Sequence, residues 1–208
     1  MNAEDKARLI KLYEDRFKVY GSTERTLGWN GPEDQRLRFS ILADVDDLSG
    51  RSVCDVGCGF GDLLPYLVAR FGDLKYTGID LAPSLVDEAR RRHPKGRFYC
   101  GDILDSAFDE RSDYFLLSGA LSFRIADNLA YSHAVLQRMF ESCNRGLAAN
   151  FLTTYVNFER KHNFHHNPED VFSFAKSMTQ WVSIRHDYPL WEFTVFMYKI
   201  PPTNATFL

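Results

Sequence analysis

Two rhythms of hydrophobic spacing divide the chain. Residues 3–21 place Leu9, Ile10, Tyr13, Phe17 and Tyr20 at three- and four-residue intervals, the stripe of an amphipathic helix. A turn-rich stretch, 21–34, contains three glycines and a proline, after which 35–45 resumes helical spacing through Leu37, Ile41 and Val45. From residue 51 short apolar runs alternate with amphipathic stretches. The runs predict strands at 51–57, 75–81, 97–103, 113–121 and 146–153, and helices between them at 62–71, 83–93 and 127–143. The interval after 103 reads as loop or a short helix. Alternation of this kind predicts a mostly parallel sheet with helices on both faces.

The pattern changes near the end of the chain. Asn167, followed by Pro168, Glu169 and Asp170, signals a helix running to about Trp181. Two strand-like runs, 182–188 and 191–199, then follow with a link too short for a parallel crossover, so they are expected to be antiparallel neighbours.

Composition narrows the class. The 208 residues suffice for one well-buried domain, and 45% hydrophobic with 25% charged residues is ordinary for a globular protein in water. The net charge of -3 disfavours a dedicated nucleic-acid binder. The N-terminus lacks the apolar core of a signal peptide, and no apolar run approaches a membrane span. Cys54, Cys58, Cys100 and Cys143 form neither a CxxC pair nor a dense framework, which fits reduced thiols in a cytoplasmic protein.

The most informative stretch is 53-VCDVGCGFGDLLPYL-67, with Gly57, Gly59 and Gly61 between a predicted strand and a predicted helix. A glycine-rich turn there suits a phosphate, a nucleoside or merely a tight turn. Asp80 ends the next strand, where an acidic side chain accepts from ribose hydroxyls. The P-loop pattern GxxxxGK[ST] is absent, which removes the lysine and hydroxyl that hold triphosphate and magnesium. Asp62, directly after the third glycine, would repel a pyrophosphate and accept from an ammonium group. Asp80 also reads as a helix N-terminal signal before Pro83, and Asp102 as turn chemistry after the third strand. Cys58 has no neighbouring base to make it a nucleophile.

The string DVGCGFGD, followed by a strand ending in GIDLAPSLVDEAR and another ending in YCGDI, resembles the class I S-adenosylmethionine-dependent methyltransferases over roughly residues 51–121. The resemblance implies a three-layer Rossmann-like α/β sandwich, with a mostly parallel seven-stranded sheet and an antiparallel C-terminal hairpin strand. It implies one domain over 1–208, with an N-terminal helical lid at 1–48 and a core at 49–200. It also implies S-adenosylmethionine as cofactor and S-adenosylhomocysteine as product. By position, Asp55 and the backbone at Gly57, Cys58 and Gly59 would border the methionine end, approached so closely that side chains at Gly57 or Gly59 would clash. Asp80 would hold the ribose hydroxyls, with Leu81 against the adenine and Asp102 with Ile103 at its amino edge. Ser118 and Gly119 would line the opening toward the acceptor.

The remaining candidates lie outside those motifs. Tyr20 and Trp29, in 18–20 and 28–30, are aromatic candidates for a lid. Arg38 or Arg36 is placed to grip the methionine carboxylate bidentately, with a solvated helix face as the alternative. His162, His165 and His166 crowd a polar, aromatic stretch after the fifth strand. There His165 and His166 are candidate bases for an oxygen, nitrogen or sulfur nucleophile. HxxHH without a cysteine or clear carboxylate partner is a poor zinc pattern, so no metal is expected. His186 and Asp187, in a predicted strand, read as structural. The Asn/Asp-Pro-Pro-Tyr motif of base and amide methylators is absent after the fourth strand, so methyl transfer to a small molecule is the expected activity. RNA or protein acceptors, or S-adenosylmethionine binding without transfer, are the alternatives.

Overall fold

The computed structural model describes residues 1–29, 31–158 and 160–202. Asn30, in the aromatic turn 28–30, and Glu159, in the histidine-bearing segment, lie outside the described residues.

Seven strands form one sheet in the order β3-β2-β1-β4-β5-β7-β6. They are β1 (Ser52–Val56), β2 (Lys75–Asp80), β3 (Arg97–Cys100), β4 (Ser112–Leu117), β5 (Cys143–Leu152), β6 (Val182–Arg185) and β7 (Glu192–Tyr198). β1 pairs in parallel with β2 and β4, β2 with β3, and β4 with β5; β7 runs antiparallel to both β5 and β6. The Rossmann-like sandwich and its antiparallel hairpin are as the sequence implied.

Helices α1 (Ala3–Tyr20), α2 (Glu24–Leu27) and α3 (Pro32–Leu42) precede the sheet. Helices α4 (Leu63–Phe71), α5 (Pro83–Arg92), α6 (Asn128–Ser142) and α7 (Pro168–Met178) follow β1, β2, β4 and β5. Proline opens α3, α5 and α7, where its missing N–H costs nothing. Asn2, Asp127 and Asn167 cap α1, α6 and α7 by accepting from the amides of Asp5, Ala130 and Glu169.

The period of two along each strand divides the core. Val53, Tyr114, Leu116, Ala148 and Phe196 pack with α3, α4 and α5, whereas Cys54, Phe115, Leu117, Ala149 and Val195 pack with α6 and α7. Strands covered on both faces are apolar nearly throughout, which is why β1 and β4 read as continuous runs. A third cluster, Phe60, Ala82 and Leu85 with Tyr13, Phe17 and Leu27, holds α1 and α2 over the glycine turn.

The differences from the sequence reading are local. The 21–34 stretch contains α2, stopped by Gly28 in the left-handed region (φ 84°), and α3 begins at Pro32 rather than near residue 35. The interval after β3 carries turns and no helix among the described residues. α6 passes directly into β5 at Cys143, because Cys143 pairs with Ser112 ahead of a register shift in which β5 carries the extra residue. β6 stops at Arg185, so His186 and Asp187 lie beyond the strand predicted to hold them, with Asp187 accepting from Arg185 Nε.

Candidate functional site

A cavity of about 520 Å³ opens at the carboxyl ends of β1, β2, β4 and β5, with α1 to α3 as one wall and the segment after β5 as another. That is the volume of a ligand pocket, at the sheet edge where open α/β folds bind ligands. Among the described residues, ten buried side-chain nitrogen or oxygen atoms lack a hydrogen-bond partner. Six of them belong to cavity-lining residues: Arg16 Nη1, Trp29 Nε1, Arg38 Nη1, Asp55 Oδ1, Ser118 Oγ and His165 Nε2. Buried polar atoms are normally satisfied, so this concentration marks a surface prepared for a polar guest.

The glycine turn forms the floor. Gly57, Gly59 and Gly61 all have positive φ, and a Cβ on Gly57 would lie 2.4 Å from that of Ala120. At Gly59 it would meet Leu27 at 2.8 Å. The turn therefore excludes side chains through its own protein neighbours as well as through any ligand. Its amides are already engaged: Gly57 N and Cys58 N donate to Ile79 O (2.8 and 3.1 Å), and Gly59 N donates to Asp80 Oδ2 (2.9 Å). A phosphate-binding turn needs such N–H groups free, and here they are spent on β2 and its terminal carboxylate.

Carboxylates ring that floor. Asp55 is 2% exposed; Tyr76 Oη donates to its Oδ2 while Oδ1 is unpartnered. Burial pushes its pKa up to about 7; the Tyr76 hydroxyl opposes the rise, and the Asp80 and Asp62 charges add to it. Asp80 accepts from Gly59 N and, at Oδ1, from Ala82 N (3.0 Å). Burial raises its pKa against those two bonds. The sequence alternatives for Asp80 thus coincide, since it turns the chain before α5 and also faces the cavity. Asp102 does likewise, accepting from Leu104 N (3.0 Å) and from Tyr131 Oη (3.3 Å) at the cavity wall beside Ile103. Leu81 and Gly119 also line the cavity. Burial and the neighbouring Asp80 and Asp55 hold the Cys58 thiol well above its usual range, which rules out a thiolate.

Three expectations change. Asp62 is not a bare carboxylate: Arg92 Nη1 donates to it at 3.1 Å and Gln35 Nε2 at 3.4 Å. Arg38 is buried while Arg36 is exposed, but the bidentate edge of Arg38 is taken by Glu192, with Nε 2.9 and 2.8 Å from its two carboxylate oxygens. Nη1 is left without a partner, so a ligand carboxylate would meet Arg38 at its Nη1 end and not on the Nε–Nη2 edge. His166 is the third. It is 1% exposed, lies edge-on to Phe151 and Phe164, bonds Ser132 Oγ through Nε2 (3.1 Å) and is not part of the cavity wall. Burial, with smaller contributions from His133 and His165, drops its pKa to about 4. His166 is a core residue and no base.

His165 has the opposite setting. Its Nδ1 sits 2.7 Å from Thr153 O, which accepts and so fixes the proton on Nδ1; Nε2 is left bare in a cavity-lining residue. His162 also lines the cavity, in an exposed position.

Several residues were invisible to motif reading. Asn150 accepts from Gly119 N (2.6 Å) and donates to Glu192 Oε2 (2.9 Å), linking β4, β5 and β7 beneath Trp29 and Arg38. The Trp29 ring lies 4.3 Å under the Arg38 guanidinium and so close to Gly119 that a Cβ there would fall 2.3 Å from it. The available signal was a polar residue set in a buried strand run, Asn150 inside the LAANFL stretch of β5 and Glu192 heading β7.

A family model described as "Methyltransferase domain" matches residues 53–149. The "Putative methyltransferase Rv1506c" of Mycobacterium tuberculosis is 33% identical over 155 residues, which cover 71% of this chain and 93% of that protein. The chain belongs to the class I S-adenosylmethionine-dependent methyltransferases. S-adenosylmethionine is the cofactor of this family, and the residues around the glycine turn fit it. An unpartnered buried carboxylate oxygen on Asp55 suits an ammonium group, and the occupied loop amides disfavour a phosphate. The trans-aconitate 2-methyltransferase of Rhizobium meliloti is 40% identical to this methyltransferase over 73 residues, 34% of this chain and 28% of that one. The fold matches that of magnesium protoporphyrin IX methyltransferase from Synechocystis PCC 6803, solved with bound SAM. The TM-score is 0.68 at 18% identity, covering 95% of this chain and 99% of that one.

Proposed function

We propose that this methyltransferase transfers the methyl group to a small-molecule nucleophile by in-line displacement. The carrying observation is the set of unsatisfied buried polar atoms gathered in one cavity around the glycine turn. A small molecule accounts for an acceptor space that is part of a walled cavity, and the trans-aconitate relative acts on a small molecule by its name.

When bound, the cofactor supplies an electrophilic methyl carbon on a sulfonium. In this reading Asp55 Oδ1 accepts from its ammonium group and Arg38 Nη1 donates one bond to its carboxylate. The lone pairs of Asp80 left over by Gly59 and Ala82 take the ribose hydroxyls. Leu81 and Ile103 enclose the base, with Asp102 at its amino edge. Ser118 and Gly119, at the end of β4, border the acceptor space. α1 to α3, within residues 1–48, serve as the lid over the 49–200 core, with Trp29 keeping water from the reacting atoms. His165 Nε2 takes the proton of the nucleophile, its proton-bearing Nδ1 anchored on Thr153 O. Because the methyl carbon is already electrophilic, positioning supplies much of the rate.

The test is calorimetric titration with S-adenosylmethionine, S-adenosylhomocysteine and NAD, then a labelled-methyl screen over metabolites, RNA and protein. Micromolar binding of both adenosyl compounds, none of NAD, and label in a metabolite are expected. Label in RNA or protein alone, or tight binding without transfer to any class, overturns the small-molecule reading.

A further inference from the structure

Arg16 has no part in the cofactor site described above. It projects from α1, its Nη1 is buried without a hydrogen-bond partner, and no described acidic residue pairs with it. Its guanidinium lies 5.6 Å from the centroid of the Phe123 ring. Arg16 as a whole is half-buried, but a charged nitrogen enclosed without an acceptor is costly, and an anion arriving at the cavity wall would satisfy it.

The surroundings of Arg16 put it on the acceptor side. Phe123 lies just after β4 and forms an antiparallel bridge with Asn163, while Phe164 N donates to Ser122 O (2.9 Å) and Arg124 N to His162 O (2.9 Å). The segment bearing His162 and His165 is thereby fastened to the chain after Ser118 and Gly119. α1 is fastened to the same chain, since Arg8 Nη2 donates to Arg124 O (2.6 Å) and Ala126 N to Asp5 Oδ2 (2.9 Å). Arg16 and His165 therefore belong to one three-part wall, which reaches across to Gly28, where an added Cβ would lie 3.0 Å from Arg16 Nη1.

The charges in the cavity make the same division. Asp62, Asp80, Asp102 and Glu192 are each held by donors of the protein itself. Arg38 is neutralised by Glu192, which leaves Arg16 in the acceptor wall and the exposed Arg160 as lining cations with no acidic partner among the described residues. Tyr13, Phe123, Phe158 and Trp191 supply aromatic surface to the same cavity. We infer that Arg16 is the seat for a carboxylate on the acceptor, and that the acceptor is an organic acid with an apolar body. Of Arg16 and Arg160, only Arg16 carries a buried unpartnered nitrogen, and one guanidinium matches the single charge of a carboxylate. The inference rests on the methyltransferase reading for what the bound acid is used for, but the seat is a property of the protein alone.

The test titrates 4-phenylbutyrate and its uncharged isostere 4-phenylbutyramide into the free protein and into protein saturated with S-adenosylhomocysteine. The acid is expected to bind about tenfold or more tightly than the amide, as one charge-assisted hydrogen-bonded contact allows. The preference should vanish in Arg16→Gln and survive in part in Arg16→Lys, which keeps the charge and guards against misfolding of the first variant. Equal binding of acid and amide, binding of neither, or a preference unchanged in Arg16→Gln overturns the inference. Loss of S-adenosylhomocysteine affinity in Arg16→Gln, with the acid preference intact, would reassign Arg16 to the cofactor and overturn it as well. Wild-type protein that fails to bind S-adenosylhomocysteine yet prefers the acid through Arg16 supports the seat and refutes the proposed function, so the two failures are separable.

Discussion

Arg38 and Glu192, 154 positions apart in the chain, form a bidentate ion pair in which the two side chains are only 8% and 7% exposed. The pair joins α3 to the start of β7, and Asn150 extends it to the Gly119 amide at the end of β4. One buried network thus holds a wall of the cavity to the sheet. Glu192→Ala leaves a guanidinium buried and unpaired, so a loss of about 3–5 kcal/mol is expected in urea unfolding, the usual cost of breaking such a pair. Arg38→Met combined with Glu192→Leu should cost less than Glu192→Ala. A single variant as stable as wild type would contradict this account.

Asp55 gives the site a pH dependence. Its carboxyl, with a pKa near 7, must be ionised to accept from an ammonium group. Affinity for S-adenosylhomocysteine is therefore expected to rise with pH up to about 7 and level off above it. Folding has the opposite sign: the unfolded carboxyl ionises near 3.8 while the folded one holds its proton, so this group disfavours the free fold progressively from about pH 4 to 7. Asp55→Asn should bind weakly and without that slope. A wild-type affinity constant between pH 5.5 and 8 would remove Asp55 from the ammonium role.

Asp80→Asn keeps the shape of the residue but gives up one of the acceptor oxygens that serve Gly59, Ala82 and the proposed ribose contact. A drop of about ten- to a hundredfold in S-adenosylhomocysteine affinity is expected, the value of hydrogen bonds to a charged group. Asp80→Ala is the poorer test, since it also frees the Gly59 amide and loosens the turn. Unchanged affinity in the asparagine variant, with a normal melting curve, would refute the ribose assignment.

The adjacent histidines should behave differently. His165→Ala is expected to lower kcat by about a hundredfold or more, as loss of a general base does, with cofactor affinity within about twofold. His166→Ala should instead destabilise the protein, by about 2–4 kcal/mol for an emptied core site. Its folded pKa of about 4 lies below the ordinary 6.5, so the unfolded chain takes up this proton first as pH falls. Stability is thus lost from pH 6.5 down to about 4, by up to roughly 3 kcal/mol. Urea titrations of wild type and His166→Gln across that window measure it; parallel curves would disprove the linkage.

Gly119→Ala places a Cβ against the Trp29 ring at a φ of +71°. A cost of about 1–3 kcal/mol is expected from strain and overpacking, with a shift in tryptophan emission as the ring is displaced. Emission identical to wild type would mean that Trp29 does not rest on Gly119.

The sequence by itself determined the sheet and which of its strand ends and turns border the cavity. Alternating apolar runs and amphipathic stretches specify parallel strands covered on both faces, and the short link before β7 forces an antiparallel pair. Asp55, Gly57, Gly59, Asp80 and Asp102 were legible as cavity-lining positions because that placement depends on standing at a strand end or on backbone dihedrals, which are local properties. Tertiary structure alone decided which polar groups are already spent. Nothing local says that Glu192 occupies Arg38, or that Arg92 occupies Asp62. The histidines make the distinction clearest. His165 and His166 are neighbours with the same chemistry, but the bridge of His166 to Thr153 turns one ring into the core and leaves the other at the cavity. The facing of a side chain is set by what the backbone pairs with across the fold, and that pairing is not a property of the local sequence.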